Sequence, residues 1–137
     1  MRLLIDTQIF LWLFLYPKRV STDVVSLLKN PASNIFFSAA SAWEIAIKFG
    51  NGKLHLPDKP EIFVPSRAGL AGFWLLPIIP EHALQVADLP FHHKDPFDRL
   101  IIAQAKYEKL IILTTDLIFR KYTSDFIDAE KYKEPIN

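Results

Sequence analysis

The sequence of 137 residues has no cysteine, only four glycines and no long uncharged run. Without cysteine there can be no disulfide framework, no thiolate metal site and no cysteine nucleophile. In the apolar N-terminal stretch the longest uncharged run, residues 7–17, falls far short of the ~20 residues that a membrane-spanning helix needs. The sequence therefore excludes disulfide-stabilised secreted scaffolds and zinc fingers, and no segment of it is typical of a membrane span.

The N-terminal stretch is not typical of a signal peptide, and the sequence has no strong charge bias. Its apolar N-terminal stretch is interrupted by Asp6 and is not followed by a small-residue cleavage site, so we expect a mature, cytoplasmic protein. Sixteen Lys and Arg residues offset fifteen Asp and Glu residues, and the net charge of +1 does not by itself indicate nucleic-acid binding. With 50% hydrophobic and 23% charged residues, the chain fits one compact domain over residues 1–137.

Apolar runs and helical periodicity alternate along the chain. Short continuous apolar runs predict buried strands at residues 2–5, 34–37, 73–76 and 110–113. Apolar residues at helical spacing predict helices at residues 21–29, 38–49, 81–88 and 96–109. Strands that are apolar throughout and are separated by helices favour an α/β fold, with a central, mainly parallel sheet flanked by helices.

Four acidic residues stand where this architecture would bring them together. Asp6 and Asp116 each follow an apolar strand, and open α/β sheets bind their ligands beyond the carboxyl ends of the strands. Glu44 lies in the helix after the second strand, and Asp98 lies in the first turn of the helix that leads to the strand at residue 110. We expect all four side chains to reach the same rim of the sheet.

Each of these acids also has a purely structural interpretation. Asp95 is a typical N-cap for the helix that contains Asp98 in its first turn. Glu44 completes a capping-box pattern with Ser41, although Ser38 directly follows the second strand and is the expected cap of that helix. Asp6 and Asp116 could simply favour the positive end of a following helix, an effect of about 0.3–1 kcal/mol each.

The conjunction of the four acids favours a metal site. Carboxylates gathered at one edge would repel one another unless a cation lay between them, and hard cations such as Mg²⁺ or Mn²⁺ prefer oxygen ligands. Such a cation suits phosphodiester cleavage, because it lowers the pKa of a bound water and stabilises charge on the phosphate.

Four segments carry a family resemblance. They are LLIDTQIFLW at residues 3–12, SAASAWEIAIKFGNGKL at 38–54, HHKDPFDRLIIAQA at 92–105 and LIILTTDLIFRKY at 110–122. Together and in this order they resemble the motif blocks of PIN-domain nucleases, most closely the VapC-like group of toxin–antitoxin operons. The resemblance extends over essentially the whole chain.

The resemblance implies a compact PIN fold and an Mg²⁺- or Mn²⁺-dependent ribonuclease that acts on RNA. It also implies a homodimer and a VapB-like antitoxin as inhibitor. The family's catalytic and metal-binding acids map onto Asp6, Glu44, Asp98 and Asp116. Thr114 matches a polar position of the family that helps to hold a water molecule of the metal. Asp95 matches an acid that is frequent in this group, and we expect it to cap the helix rather than to bind the metal. Gln8 stands where the group often has His.

Other side chains are candidates for binding RNA or protein partners. The candidates for RNA contact are Lys48, His92, His93, Lys94 and Arg99, since cations and loop histidines near the acids could reach phosphate oxygens. Such lysines and histidines are also common on ordinary solvated surfaces. The segment at residues 10–15 is apolar on every side, so part of it must be core, and the rest could form a groove for a dimer partner or an antitoxin.

Other classes of function fit the sequence less well. A haloacid-dehalogenase-type phosphatase needs a second Asp two residues after the first, where Gln8 stands. Dinucleotide-binding enzymes and Walker-type NTPases need glycine-rich turns, and residues 6–9 contain no glycine. One alternative stays open, namely a catalytically silent module of PIN fold that binds an antitoxin or RNA.

Overall fold

Five parallel strands form the centre of the molecule. In the computed structural model, which describes residues 1–136, they are β1 (Arg2–Ile5), β2 (Asn34–Ser38), β3 (Trp74–Leu76), β4 (Ile111–Thr114) and β5 (Phe126–Asp128). Their order in the sheet is β3-β2-β1-β4-β5. Ile5 lies opposite Phe37 on one side and Leu113 on the other, so the carboxyl ends of β1, β2 and β4 lie next to one another.

Helices connect the strands. The α-helices are α1 (Thr7–Leu15), α2 (Thr22–Lys29), α3 (Ala39–Gly50), α4 (Pro60–Ala71), α5 (Pro80–Gln85) and α6 (Pro96–Glu108), and short 3₁₀ helices span Pro17–Arg19, Val86–Asp88 and Leu117–Lys121. Ser38 caps α3 as the sequence predicts, because its hydroxyl accepts the N–H of Ala40 at 2.9 Å. Gly72 ends α4 with a φ of 74°, which glycine adopts without strain. Among residues 1–136, no helix has both the length and the apolar character that a membrane span requires.

The core lies on both faces of the sheet. Leu3, Leu4 and Ile5 of β1 are completely buried, and successive residues of a strand point to opposite faces. Leu3 and Ile5 belong to a cluster that includes Ile9 of α1, whereas Leu4 belongs to a second cluster that includes Ile101 of α6. This two-sided burial explains the uninterrupted apolar strands and confirms the predicted fold class.

Helices α1 and α4 and strand β5 are additional to the predicted elements, as are the 3₁₀ helices Pro17–Arg19 and Leu117–Lys121. Helix α1 contains the apolar segment at residues 10–15, of which Phe10 and Leu11 are buried and the other four residues are partly buried. This segment is apolar on every side, so it has no helical periodicity to detect. Helix α4 contains Pro65 in its interior, which normally opposes a helix, and β5 is three half-buried residues long. The other predicted strands and helices are present, and the predicted helix at 81–88 is α5 followed by a 3₁₀ turn.

Candidate active site

Asp6 and Asp116 follow neighbouring strands, β1 and β4, at the carboxyl edge of the sheet. Asp6 caps α1, because its Oδ1 accepts the backbone N–H of Ile9 at 2.8 Å. Asp116 caps the next 3₁₀ helix, and its Oδ1 accepts the N–H of Ile118 at 3.0 Å. The capping interpretation is therefore correct for both acids, but each carboxylate keeps a second oxygen for other contacts.

The hydroxyl of Thr114 connects these two acids. It donates a hydrogen bond to Oδ2 of Asp6 and accepts the backbone N–H of Asp116 at 3.0 Å. Thr114 is completely buried, so this hydroxyl is engaged within the protein. Thr114 thus supports the acids directly, and its predicted contact with a water of the metal stays a prediction.

Glu44 reaches the same edge from α3. Its side chain is almost completely buried, and its Oε2 accepts a hydrogen bond from the Lys48 ammonium group at 2.7 Å. Its Oε1 is buried and has no hydrogen-bond partner among residues 1–136. A buried carboxylate oxygen without a partner is unfavourable by about 1–3 kcal/mol or more, so a positively charged ligand at this oxygen would be stabilising.

Asp98 lies in the first turn of α6, where Asp95 is the N-cap. Oδ1 of Asp95 accepts the backbone N–H groups of Phe97 at 2.8 Å and of Asp98 at 3.2 Å. Asp95 therefore has the capping role that the sequence predicts. Because Asp95 supplies the cap, the carboxylate of Asp98 is available for other interactions.

All four predicted acids line one cleft. This cleft has a volume of about 270 Å³ and is lined by Asp6, Glu44, Asp98 and Asp116 together with other residues, including Gln8, Lys48 and Asp95. Two strand ends and two helices therefore bring together carboxylates that lie far apart in the sequence.

Burial and mutual repulsion raise the pKa values of two of these acids. Burial is the main factor that raises the pKa of Asp6 from 3.8 to about 6, although the hydrogen bond from Thr114 opposes the change. Burial, followed by the negative charges of Asp95 and Glu44, raises the pKa of Asp98 from 3.8 to about 8. The cleft thus gathers more carboxylate groups than can readily be ionised together.

The donor set fits a hard divalent cation. Mg²⁺ and Mn²⁺ prefer carboxylate and water oxygens, and the cleft offers carboxylates from four residues. The unpaired Oε1 of Glu44 is the clearest sign of a missing positive partner. Potential ligand atoms of His93, Asp98 and Asp116 also lie within 4.8 Å of one another.

His93 contacts two of the acids directly. Its Nε2 lies 2.9 Å from Oδ2 of Asp116 and 3.0 Å from Oδ2 of Asp98. The side chain is only 12% exposed, so this placement favours a contact with the carboxylates over the predicted contact with RNA. The position of His93 two residues before the helix cap Asp95 is the only sequence feature that could have indicated this role.

The other candidates for RNA contact fall into two groups. Lys48 lines the cleft, and His92 and Lys94 are exposed in the loop before α6. Arg99, in contrast, is buried, and its guanidinium donates hydrogen bonds to backbone carbonyls in the segment 86–90, including that of Pro90 at 2.9 Å. Arg99 therefore holds this segment in place, and its burial argues against the predicted contact with phosphate.

Tyr122 is a further residue that organises the loop before α6. Its hydroxyl accepts the backbone N–H groups of His92 at 2.8 Å and His93 at 2.7 Å and donates to the carbonyl of Pro90 at 2.7 Å. No sequence pattern singles out this tyrosine, because its partners are backbone atoms about 30 residues earlier in the chain.

A parallel sheet with a cluster of acids at its carboxyl edge is the arrangement that the resemblance to PIN-domain nucleases predicts. The family model for the PIN domain matches residues 3–124. The chain therefore belongs to the PIN domain family.

The chain is also similar to a curated VapC protein. The chain is 36% identical over 69 residues to Ribonuclease VapC16 of Mycobacterium tuberculosis, a match that covers 47% of this chain and 48% of the relative. The match thus spans about half the length of that curated relative.

The fold is similar to those of two solved structures. VapBC2 from Rickettsia felis, solved with a DNA fragment from its promoter, superposes with a TM-score of 0.68 at 16% identity over 93% of this chain and 96% of that chain. FitAcB from Neisseria gonorrhoeae superposes with a TM-score of 0.64 at 21% identity over 95% of this chain and 99% of that chain. These comparisons confirm the predicted fold and the resemblance to the VapC-like group.

Proposed function

We propose that this protein is an Mg²⁺- or Mn²⁺-dependent endoribonuclease and the toxin of a VapBC-type toxin–antitoxin pair. The observation that carries this proposal is that Asp6, Glu44, Asp98 and Asp116 line a single cleft. The partial match to a ribonuclease supports RNA as the substrate.

In this proposal the four acids hold the cation through their carboxylate oxygens. A cation bound there would lower the pKa of a water molecule and stabilise negative charge on the phosphate and on the leaving oxygen. Thr114 keeps Asp6 in position, and Lys48 holds one oxygen of Glu44. A water molecule would then attack phosphorus while the bond from phosphorus to the leaving oxygen breaks, and the leaving oxygen would take up the proton that the water releases. We therefore expect no covalent intermediate between enzyme and RNA.

Exposed positive groups around the cleft would bind the RNA backbone. Lys48 has a side chain that is 47% exposed at the cleft, and His92 and Lys94 are exposed beside the first turn of α6. Contacts of this kind position a phosphate without reading the base sequence. We therefore propose that these three residues guide RNA to the acids.

We also propose that a VapB-like antitoxin binds an apolar groove on this protein. A groove of about 500 Å³ is lined mainly by apolar side chains of α1, α2 and the end of α4, among them Leu13, Phe14, Leu28, Leu70 and Phe73. An amphipathic segment could occupy such a groove, and a positive side chain from the same partner could enter the acidic cleft and compete with the metal. A homodimer and a cytoplasmic location are part of the same proposal.

A cleavage assay with matched variants tests the proposed function. Purified protein would be incubated with a panel of structured and single-stranded RNAs in Mg²⁺, Mn²⁺ or EDTA. We expect cleavage only with metal, loss of most activity in Asp98→Asn, and full activity in Asp88→Asn, because Asp88 is exposed and outside the cleft. If Asp98→Asn cleaves as well as the wild type, the assigned site is wrong. Binding of RNA without cleavage under every condition would favour the catalytically silent module.

A further inference from the structure

The imidazole of His93 is oriented by a hydrogen bond on each side. Its Nδ1 accepts the backbone N–H of Asp95 at 3.1 Å, and its Nε2 lies 2.9 Å from Asp116 and 3.0 Å from Asp98. A ring nitrogen that accepts a hydrogen bond carries the lone pair, so the ring proton lies on Nε2. The Nε2–H group therefore donates a hydrogen bond to Asp116, and the same nitrogen lies in close contact with Asp98.

This arrangement argues against His93 as a metal ligand. A histidine that ligates a metal through one nitrogen usually donates the N–H of its other nitrogen. In this structure Nδ1 receives a hydrogen bond from Asp95, so Nε2 has no lone pair to offer a cation.

His93 is not one of the residues that line the cleft. Asp98 and Asp116 do line it. The exposed fraction of the side chain is 12% for His93, 21% for Asp98 and 37% for Asp116. The ring is thus more buried than the two carboxylates that it contacts, and those carboxylates line the cleft without it.

The surrounding residues hold the ring in this position. The Tyr122 hydroxyl accepts the backbone N–H of His93 at 2.7 Å and donates to the carbonyl of Pro90. The ring of Phe119 packs edge-on against the imidazole with 5.7 Å between the ring centres. Because both its backbone and its ring are anchored, His93 can fix the positions of Asp98 and Asp116.

We propose that His93 is a positioning residue of the metal site, whose Nε2–H donates to the carboxylate of Asp116 and lies against that of Asp98, so that both carboxylates are held where they can bind the cation. This inference rests on the proposed metal-dependent function. Hydrogen-bond partners of metal ligands orient those ligands, and their loss typically weakens metal binding by about 10–100-fold.

Calorimetric titration of the full chain with Mn²⁺ tests this role without measuring activity. His93→Leu keeps the bulk of the side chain but removes the donor, and we expect its Kd for Mn²⁺ to rise about tenfold or more. His93→Gln places an amide N–H close to the position of Nε2, and we expect it to recover most of the affinity. His55→Leu is the matched control, because His55 is exposed and lies outside the cleft, and this variant should bind Mn²⁺ like the wild type.

The outcomes separate this inference from the proposed function. If the folded wild type binds no Mn²⁺, the metal site fails and the role of His93 fails with it. If the wild type binds Mn²⁺ and Asp98→Asn does not, the metal site stands, and an unchanged or tighter Kd in His93→Leu overturns the positioning role. Equal losses in the Leu and Gln variants would also overturn it, since they would indicate direct ligation by the ring.

A second variant keeps the test decisive if His93→Leu does not fold, as judged by circular dichroism. Tyr122→Phe removes the hydroxyl that holds the backbone of His93 but leaves the imidazole present. We expect it to weaken Mn²⁺ binding, although less than the loss of the ring itself. Wild-type affinity in Tyr122→Phe, together with wild-type affinity in a folded His93→Ala variant, would overturn the inference.

Discussion

The hydroxyl of Thr114 donates a hydrogen bond to the carboxylate of Asp6 across two neighbouring parallel strands. Thr114 is the last residue of β4, and Asp6 directly follows β1. The backbone N–H of Asp6 is itself bonded to the carbonyl of Leu113 at 3.2 Å. The sheet therefore determines the position of this acid, which makes the site rigid on the side of β1 and β4.

Replacing Thr114 with Val tests this connection. The variant keeps the branched shape but leaves the buried Asp6 oxygen and the N–H of Asp116 without their partner, so we expect a loss of about 1–3 kcal/mol in the free energy of unfolding. Because the lost hydrogen bond lowers the pKa of Asp6, the pKa should rise further and weaken metal binding. Urea unfolding in EDTA and a Mn²⁺ titration would measure both effects.

Thr115→Val is the matched control for this experiment. Thr115 is the adjacent residue, is only half-buried and also lines the cleft. A stability loss of the same size in both variants would contradict a specific role for the Thr114 hydroxyl.

The acids could be predicted from the sequence because local rules determine their positions. Asp6 and Asp116 follow apolar strands, and parallel strands bring their carboxyl ends to one edge. Asp98 could be placed because Asp95 and the following proline define the start of α6. These signals span only a few residues, so they can be detected without knowledge of the tertiary structure.

The roles of His93 and Arg99 could not be predicted in the same way. His93 lies just before the start of α6 and Arg99 just after it, at positions where side chains are often solvated. Their actual partners depend on how the loop before α6 packs. Arg99 is buried because backbone carbonyls at residues 86–90 surround its guanidinium. His93 faces inward because Tyr122, about 30 residues later in the chain, holds its backbone.

Asp98→Asn should have opposite effects on the metal-free and metal-bound protein. The negative charges around Asp98 raise its pKa, so neutralising it relieves repulsion, and the variant should melt at or above the wild-type temperature in EDTA. Its melting temperature should rise less than that of the wild type when Mn²⁺ is added, because the stabilisation depends on how much of the native site is occupied by the metal. Thermal melts in EDTA and in Mn²⁺ measure both shifts.

Ser21→Ala is the control for this pair of melts. Ser21 caps α2, away from the cleft, through a hydrogen bond from Val24 at 3.1 Å. Its loss should destabilise the protein by about 0.5–2 kcal/mol with or without metal. If Asp98→Asn behaves in this metal-independent way, its carboxylate has only a structural role.

The metal-free protein should lose stability as the pH rises. The pKa of Asp98 is about 8 and that of Asp6 about 6 in the folded chain, both above the ordinary value of 3.8. The folded state therefore binds these protons more tightly than the unfolded state. The stability that this adds is fully present below about pH 4, the unfolded pKa of an aspartate, and is lost as the pH rises through the pKa values of the folded protein. Urea unfolding in EDTA at several pH values would measure the decline.

Asp98→Asn should flatten the upper part of this pH profile, between the pKa values of Asp6 and Asp98. Saturating Mn²⁺ should also reduce the decline, because the ionised carboxylates then have a positive partner. A metal-free stability that rises steadily up to pH 8, in the wild type and in the variant alike, would mean that these acids are ordinary surface carboxylates.

Substitution of Lys94 should change RNA affinity, whereas substitution of Arg99 should change the free energy of unfolding. Lys94 is exposed, so Lys94→Ala should weaken RNA affinity modestly, reduce its salt dependence and leave stability unchanged. Arg99→Ala should lower the free energy of unfolding by at least about 2 kcal/mol, because buried carbonyls lose their donor. Two measurements separate these effects, namely fluorescence anisotropy with a labelled RNA at several salt concentrations and urea unfolding. An RNA affinity that does not depend on salt would mean that the RNA-binding surface is assigned to the wrong residues.

The apolar groove should be required for binding the antitoxin but not for cleavage. Leu70 lines the groove and is 83% exposed, whereas Leu84 of α5 is 73% exposed and lies outside it. Leu70→Asp would place a charge in an apolar contact, where burying it without a partner is unfavourable. We therefore expect Leu70→Asp to keep its nuclease activity but to lose co-purification with the protein encoded beside it, and to escape inhibition by that protein. Leu84→Asp has a similar exposed position and the same change of charge, so it should still be bound and inhibited. Equal binding of both variants would exclude the groove as the antitoxin site, and a tight complex with full nuclease activity would exclude inhibition through the acidic cleft.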